Sequence, residues 1–398
     1  MSSREAPATI IQCIIIISMN NNEKNGIIWV DTASQLNSMV NDLMNQSIIG
    51  VDTESDSLFV YFEKVCLIQI STPENDYLVD PLNIENLQPL APIFASNKIE
   101  KVFHAAEYDI LCLKRDFGFQ FNNLFDTMLA SRILGRQGVG LLNLLKDFYN
   151  IDVNKKYQRA NWGKRPLTEE MLLYASLDSH YLIDLAKKLK DQLHRNQFSA
   201  LAEEDFKRIS KVEPNHINRN GEQFWRYVKG NILNPQETTV FFELCKLREE
   251  FAIQRNVPPF KILNTNILIE LAKKLPEKRN ELYEISGLSD KLIGRYATEL
   301  LHAIKLGIGN EPTYRPHTCK PSEAYIRRYD RLKSWRKEKA MQLKVESDVI
   351  LPKEYLEILA QKTPDSLEEV HEIMTDIPFR FSAYGHEIIQ LLTGDTSE

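Results

Sequence analysis

Two acidic residues in the first quarter of the sequence have the spacing of a cation-binding pair. Asp52 and Glu54 follow the apolar run of residues 48–51, and one residue separates them. Because side chains alternate along a β-strand, both carboxylates point to the same face of the predicted strand. Carboxylates held together at the end of a buried strand repel each other, and a divalent cation relieves that repulsion because hard cations prefer oxygen ligands. For the isolated pattern, a solvated strand end is the simpler explanation.

Two later segments add residues that suit the same chemistry. Residues 101–104 predict a strand, and the helix that follows from about residue 105 holds Asp109 and ends near Gly118, a residue type that commonly terminates helices. Further along, Tyr174 and Asp178 lie four residues apart and therefore on one face of a predicted helix. The alternatives are a surface position for Asp109 and a core position for Tyr174.

These residues need a scaffold that brings one strand end and two helices together. Short β-rich runs occupy residues 27–30, 48–51, 65–70 and 77–79, and helical periods follow at 141–149 and 169–190. Strands followed by helices predict an α/β domain over about residues 25–205. The composition agrees with a folded chain, since 43% of the 398 residues are apolar and 26% are charged.

The C-terminal half of the chain contains one helical module twice. Two segments align without a gap, and their apolar matches recur at helical spacing. Among the matched pairs are Leu244/Leu332, Leu268/Leu356, Leu271/Leu359 and Ala272/Ala360. A proline, Pro276 or Pro364, would stop a helix at the same point of each copy. We therefore predict small all-α domains over 236–310 and 320–395, with a linker over 206–235.

In their order along the chain, the acidic segments resemble the three motifs of the DEDDy 3′→5′ exonucleases. The segments are Asp52-Thr53-Glu54, His104-Ala105-Ala106-Glu107-Tyr108-Asp109 and Tyr174-Ala175-Ser176-Leu177-Asp178. With the repeat, the chain is similar to the bacterial ribonuclease D family. The resemblance implies an α/β ribonuclease H-like exonuclease domain, with a mixed sheet flanked by helices, followed by two small all-α HRDC domains that assist nucleic-acid binding.

The same resemblance implies the chemistry of the acids. Asp52, Glu54, Asp109 and Asp178 would hold two divalent cations, Mg²⁺ or Mn²⁺, and Tyr174 would orient the attacking water. The implied activity is a 3′→5′ exoribonuclease that releases 5′-mononucleotides and matures tRNA precursors and other small stable RNAs. Its partner would be RNA with a single-stranded 3′ end. A DNA exonuclease of the proofreading or repair type and an inactive RNA-binding scaffold are the alternatives, although the intact acids argue against the scaffold.

Two details at these motifs need an explanation. Many ribonuclease D chains have an aromatic residue after the glutamate of the first motif, whereas Ser55 occupies that position here. The apolar contact with the terminal base would then come from nearby side chains, and the candidates are Leu58, Phe59, Tyr61 and Phe62. Asp126 and Thr127 precede a helical run, so we interpret them as a helix N-cap, with a supporting role near the cations as the alternative.

Two basic stretches are candidate contacts with RNA. Residues 154–165 carry five basic residues and no acid, a net charge of +5, and aromatic residues interleave with these charges. This stretch resembles the ribonuclease D segment before the third motif. With the first stretch we group six candidate contacts: His104, Lys156, Gln158, Arg159, Trp162 and Arg165. His104 is equally a candidate core or strand-end histidine, and a solvated basic loop explains the stretch without RNA.

The second basic stretch opens the second repeat. Residues 320–344 have nine basic and three acidic residues, a net charge of +6, and the candidate contacts there are Arg327, Arg328 and Arg331. A helix whose charges only solubilise it is the alternative. These local charges matter because the whole chain, with a net charge of −6, argues mildly against a polyanionic partner.

The remaining expectations concern the setting of the protein. Five scattered cysteines without a CxxC pair are typical of a reducing compartment, and no apolar run has the length of a membrane span. We therefore expect a cytoplasmic monomer that does not bind membranes. We interpret residues 1–24 as an N-terminal extension: a stray strand, a start codon assigned too early with Met19 as the true start, or a signal peptide.

Overall fold

The computed structural model describes residues 26–153, 155–214, 222–228, 232–315 and 321–394. The predicted N-terminal extension, residues 1–24, lies outside them. The described chain divides into two compact units. The first unit holds the described residues up to Ser55, those from Val65 to Pro214, and those from Pro321 onward. The second unit holds Asp56–Lys64 and the described residues between 215 and 320.

A six-stranded mixed sheet lies at the centre of the first unit. Its strands are β1 (Ile27–Val30), β2 (Ile48–Ser55), β3 (Val65–Ser71), β4 (Asp76–Val79), β5 (Glu100–Phe103) and β6 (Leu124–Asp126). The strand order is β1-β4-β3-β2-β5-β6. Strand β3 runs antiparallel to β2 and to β4, whereas the other neighbouring strands are parallel. Every side chain of β3 is buried, because helices cover the sheet on both faces.

Eight helices accompany this sheet in the described part of the exonuclease-like region. They are α1 (Ala33–Leu43), α2 (Ala91–Ala95), α3 (Glu107–Phe117), α4 (Thr127–Ile133), α5 (Leu141–Tyr149), α6 (Glu169–His180), α7 (Leu182–Arg195) and α8 (Ser199–Ser210). Helix α3 ends at Gly118 in the left-handed conformation, with φ of +70°, as predicted. Asp126 is the N-cap of α4, and this prediction is also confirmed.

The predicted linker is wrong at both ends. Helix α8 extends to Ser210, and its Phe206 and Ile209 are buried in the same core as the sheet. At the other end, Phe224 and Val228 are buried in the core of the first helical module. Residues 215–221 of the predicted linker lie outside the described residues. Asparagines and glycines dominate the composition of this stretch, and they concealed the apolar residues that pack on either side.

The two helical modules repeat the bounds of their first three helices as well as their sequence. The first contains α9 (Pro235–Arg255), α10 (Pro259–Ile262), α11 (Thr265–Lys274) and α12 (Asp290–Gly309). The second contains α13 (Glu323–Leu343), α14 (Ser347–Ile350), α15 (Lys353–Lys362), α16 (Leu367–Ile373) and α17 (Pro378–Thr393). Helices α11 and α15 both end two residues before the proline that the repeat predicts as a stop. None of the described helices combines the length and apolar content that a membrane span requires.

The second helical module and the sheet domain form one compact unit around a buried ion cluster. Arg380 of α17 has no exposed surface, and its guanidinium pairs with Glu204 and, at 2.9 Å, with Asp205 of α8. The same guanidinium donates to the carbonyl oxygen of Val349. The sequence spacing of 175 residues between Arg380 and Asp205 gave no sign of this pairing.

The segment Asp56–Lys64, which directly follows β2, belongs to the second unit. The hydroxyl of Tyr61 donates to Glu249 of α9 at 2.7 Å, and the Lys261 ammonium lies 4.4 Å from the centre of the Phe59 ring. These two aromatic residues are therefore engaged in packing within the second unit. Of the other candidates for a base contact, Leu58 and Phe62 are exposed.

Candidate active site

Strand β2 supplies two of the predicted acids at the point where it leaves the core. Ile49 and Val51 are fully buried, whereas Asp52 and Glu54 beyond them are half-buried. Gly50 lies on the same strand face as these acids. A Cβ atom at this position would lie 2.7 Å from the backbone oxygen of Ser179 in α6. Glycine therefore permits the close approach of α6 to the strand that carries the acids.

Asp126 fixes the turn that carries the third acid, Asp109. The Asp126 carboxylate caps α4 and also accepts hydrogen bonds from the backbone N–H groups of Ala105 and Ala106, at 3.2 and 2.7 Å. Ala105 adopts a left-handed φ of +62°, a strained conformation that these bonds hold. The turn starts α3, whose first turn contains Asp109. Asp126 is thus both the predicted cap and the support of an acid of the site.

Helix α6 brings Tyr174 and Asp178 over the sheet. Both side chains are buried, and the helix packs on β2, β3 and β4. A buried polar network joins its C-terminal end to the sheet, because His180 Nδ1 lies 2.6 Å from Asp76 and the Ser71 hydroxyl donates to the same carboxylate at 2.6 Å. This network fixes the helix that carries Asp178 against β3, the strand next to the one that carries Asp52.

The three elements bring the carboxylates together. One oxygen each from Asp52, Glu54 and Asp178 lies within 4.8 Å of the others, a spacing at which a single cation can contact all three. Asp109 accepts a 2.5 Å hydrogen bond from the Thr53 hydroxyl instead of joining this triplet. The donor set consists of carboxylate oxygens, which suits Mg²⁺ or Mn²⁺. The acids therefore fit a divalent-cation site.

The electrostatics of the cluster point in the same direction. Burial raises the pKa of Asp178 to about 7, and the nearby charge of Asp109 adds to the rise. Burial also raises the pKa of Asp109 to about 7. The pKa values of Asp52 and Glu54 lie well above their usual range, because partial burial and the surrounding acids both disfavour ionisation. A bound cation removes this repulsion, so the cluster is arranged for a positive charge.

A cavity of about 380 Å³ opens onto Asp52, Glu54 and Asp178, whereas Asp109 does not line it. The other residues that line it are Thr53, His104, Gly140, Leu141, Leu142, Asn143, Lys155, Gln158 and Tyr174. Its apolar side comes from the start of α5, which the sequence predicts as a helix without any sign that it borders the acids. Lys155 lies in the basic stretch of the sequence, although the predicted contacts there omitted it. The composition of the stretch therefore predicted that it lies near the site, but it did not predict which of its residues line the cavity.

Two residues of the cavity have defined hydrogen-bonding states. Burial, together with the Asp178, Glu54 and Asp52 charges, raises the pKa of Tyr174, so its hydroxyl stays protonated and available as a donor. Burial lowers the pKa of His104 to about 4, so its ring is neutral at pH 7. The Thr127 hydroxyl donates to the Phe103 carbonyl at 3.0 Å and therefore accepts from His104 Nδ1 at 2.9 Å. This arrangement leaves Nε2 of His104 as an acceptor.

The first basic stretch divides between the cavity, the surface and the core. Gln158 lines the cavity, and Lys156 and Arg159 are exposed. The predicted RNA contact at Trp162 is contradicted, because its side chain is 1% exposed and packs against Tyr174. The predicted RNA contact at Arg165 also needs correction. Its guanidinium forms two hydrogen bonds, of 2.6 and 2.7 Å, with the buried carboxylate of Asp80.

The contacts of helix α13 change the interpretation of the second basic stretch in the same way. Arg328 Nε donates to the Ala360 carbonyl, and Arg331 donates to the Leu391 carbonyl, so both side chains hold the helical module together. Arg327 is exposed, as predicted for a contact. Lys333 and Lys337 are exposed as well, and the sequence offered no means to separate them from the packed arginines. The accessible charge of the helix is therefore smaller than its total.

Comparisons with known proteins agree with this architecture. A family model described as 3′-5′ exonuclease matches residues 27–194, and the HRDC domain model matches 237–304 and 326–392. The predicted fold class, a mixed-sheet exonuclease domain followed by two all-α HRDC domains, is confirmed. Ribonuclease D of Pseudomonas paraeruginosa is 28% identical over 85% of this chain and 93% of its own length.

Two RRP6 proteins are also similar. The exosome complex exonuclease RRP6 of Saccharomyces cerevisiae is 46% identical over 167 residues, which cover 42% of this chain and 23% of the yeast protein. The chain thus spans about a quarter of the length of that relative. The crystal structure of the catalytic core of RRP6 from Trypanosoma brucei has a TM-score of 0.63 at 30% identity, over 71% of this chain and 80% of that one.

Proposed function

Because this chain belongs to the family of 3′→5′ exonucleases that includes ribonuclease D and RRP6, we propose that it is a 3′→5′ exoribonuclease. It removes nucleotides one at a time from a single-stranded 3′ end and releases 5′-mononucleotides. The observation that carries the proposal is the convergence of Asp52, Glu54 and Asp178 within 4.8 Å beside an open cavity. Its substrates are tRNA precursors and other small stable RNAs.

The acids are the residues that hold the cations. Asp52, Glu54 and Asp178 bind through the oxygens that already converge, and Asp109 contributes directly or through water. Two divalent cations held by these acids would supply positive charge that lowers the pKa of an attacking water and stabilises the leaving 3′ oxygen. The protein contributes rigidity, because the backbone bonds to Asp126 and the contact of Gly50 with α6 fix the acids before substrate binds.

Tyr174 orients the attacking water. Its hydroxyl remains protonated across the working pH range because of its raised pKa, so it acts as a hydrogen-bond donor and not as a base. The ring is held on one side by Trp162, whose centre lies 6.2 Å away. This packing gives the buried tryptophan a positioning role, in place of the RNA contact that we predicted for it.

The terminal nucleotide occupies the cavity next to the acids. Lys155 supplies positive charge for the phosphate, and Gln158 supplies polar atoms for the base or sugar. His104 Nε2 is an acceptor that suits a ribose hydroxyl. Lys156 and Arg159 are exposed and serve the phosphates further along the strand. The exposed cations of α13, Arg327 with Lys333 and Lys337, hold more distant parts of a structured RNA.

A direct test compares matched single strands of RNA and DNA that carry a 5′ label, in Mg²⁺ and in Mn²⁺. The expected product is a ladder that shortens from the 3′ end of the RNA, with slower cleavage of DNA. Asp52→Asn and Asp178→Asn remove ligands and abolish the ladder, whereas Asp152→Asn, at an exposed acid, leaves it unchanged. Equal ladders from the wild type and the two ligand variants would contradict the proposal, and faster cleavage of DNA would favour the alternative DNA exonuclease.

A further inference from the structure

A buried amide without a partner lies next to the acidic cluster. Gln69, on β3, has no exposed surface. Across the described part of the chain, neither its amide nitrogen nor its amide oxygen has a hydrogen-bond partner. Buried polar atoms are almost always paired, because an unpaired one gives up its bonds to water without a replacement. The isolated amide of Gln69 therefore marks a contact that is completed by something other than the resting arrangement of side chains.

The sheet register places this amide beside Asp52. The two residues are directly opposite each other in the antiparallel ladder of β2 and β3. Directly opposed residues point to the same face of a sheet, with Cβ atoms about 5 Å apart. Ser71, two residues further along β3, identifies that face, because its hydroxyl bonds with the Ser179 hydroxyl of α6 at 2.8 Å. Gln69 and Asp52 therefore share the face that is covered by the helix carrying Asp178.

Two polar residues further along this face, Ser71 and Asp76, have their bonds, whereas the buried indole N–H of Trp162 also lacks a partner among the described residues. Ser71 donates to Asp76, and Asp76 also contacts His180. This network satisfies the C-terminal end of α6 within the protein alone. Gln69 lies opposite Asp52 and lacks such a bond, so its amide is available to the acids. An ionised carboxylate is a pure acceptor, and an amide NH₂ group is a donor that matches it.

We propose that Gln69 is a positioning residue of the cation site, whose amide NH₂ donates to the Asp52 carboxylate when a divalent cation is bound. The inference rests on the proposed function, because it requires a cation at the acids. The hydrogen bond holds the Asp52 carboxylate in its liganding orientation and satisfies the amide at the same time. Loss of such an outer partner of a metal ligand typically weakens metal binding by about 10- to 100-fold.

The variant Gln69→Leu tests this role because two measurements are expected to move in opposite directions. The full-length variant should bind Mn²⁺ at least about tenfold more weakly, measured by electron paramagnetic resonance of the free ion. In EDTA, its urea unfolding midpoint should equal or exceed that of the wild type, because leucine has a similar volume and leaves no unpaired amide. A residue with a merely structural role would lower the midpoint.

Ser131→Ala is the matched control. The Ser131 hydroxyl is also buried without a partner among the described residues, but it does not line the cavity of the acids. It should leave the Mn²⁺ affinity at the wild-type value. If Gln69→Leu also binds Mn²⁺ like the wild type, or if its midpoint in EDTA falls, the role of Gln69 is overturned while the proposed function stands. If the wild type itself fails to bind Mn²⁺, the proposed function is refuted and this inference with it.

Discussion

Asp178→Asn should stabilise the metal-free protein at alkaline pH although it removes a predicted catalytic acid. Asp178 lies on α6 against two other carboxylates, and burial raises its pKa from 3.8 to about 7. A difference of this size corresponds to about 4 kcal/mol at 1.36 kcal/mol per pKa unit. The charged form is thus less favourable in the folded state than in the unfolded state by up to that amount. Asparagine keeps the shape of the side chain and removes the charge.

The sign of the pH dependence follows from proton binding. Between the unfolded pKa of 3.8 and the folded pKa of about 7, the folded protein binds the Asp178 proton more tightly, so stability falls as the pH rises. The penalty is absent below about pH 4 and complete above about pH 7. The advantage of the variant should therefore be small at pH 4.5 and largest at pH 8.5, where we expect it to reach up to about 4 kcal/mol.

Urea unfolding followed by tryptophan fluorescence, in EDTA and at both pH values, measures this difference. Saturating Mg²⁺ should reverse the order, because the wild type gains binding energy that the variant has lost. Asp152→Asn, at an exposed position, should show no difference at either pH. If Asp178→Asn is less stable than the wild type at pH 8.5 in EDTA, burial and the neighbouring acid do not disfavour the charged form of Asp178, and the electrostatic argument for a cation site fails.

Three further substitutions test how the site is held. Gly50→Ala places a Cβ atom 2.7 Å from a backbone oxygen of α6, so RNA cleavage should slow by about 100-fold. Gly294→Ala, where nothing lies within 4 Å, should have no effect, and equal rates for the two variants would contradict this role. Asp126→Ala removes the acceptor of four backbone N–H groups, so we expect a loss of at least about 2 kcal/mol of unfolding free energy and slower RNA cleavage. An unchanged cleavage rate would show that the turn held by Asp126 does not position the acids. Arg165→Met removes the cationic partner of the buried Asp80 carboxylate and should lower the free energy of unfolding in urea by about 3–5 kcal/mol. Weaker RNA binding without that loss of stability would support the original prediction that Arg165 contacts RNA.

The sequence predicted the acidic cluster because the relevant patterns are local. The alternation of Asp52 and Glu54 depends only on strand geometry, and the spacing of Tyr174 and Asp178 depends only on the helix period. The N-cap at Asp126 is local as well, and the structure confirms it. The order of the three segments along the chain then identified the family. These features needed no knowledge of distant contacts.

The errors concern residues whose partners lie far away in the sequence. Arg165 pairs with Asp80, 85 residues before it, and Arg331 bonds to a carbonyl 60 residues after it. From local composition alone these arginines look available to RNA, because the hydrogen-bond partner of each one lies in another element of the fold. Trp162 lies among basic residues and yet is buried, since the core formed with Tyr174 is assembled from separate segments. Gln69, in an apolar strand, gave no signal at all.

The buried pairing of Arg380 with Glu204 and Asp205 affects how this chain can be shortened, whether by a laboratory or by evolution. A version that ends before the second HRDC module would lose the Arg380 guanidinium, which pairs with both acids. Asp205 would keep the Arg208 guanidinium, at 3.4 Å, whereas Glu204 would lose its described counter-charge. Removing one partner of a buried ion pair is strongly destabilising, whereas replacing the whole set by apolar residues is often neutral. We therefore expect a single-module exonuclease of this type to carry an apolar or neutral residue at position 204, whereas an acid at position 205 can keep its pair with Arg208.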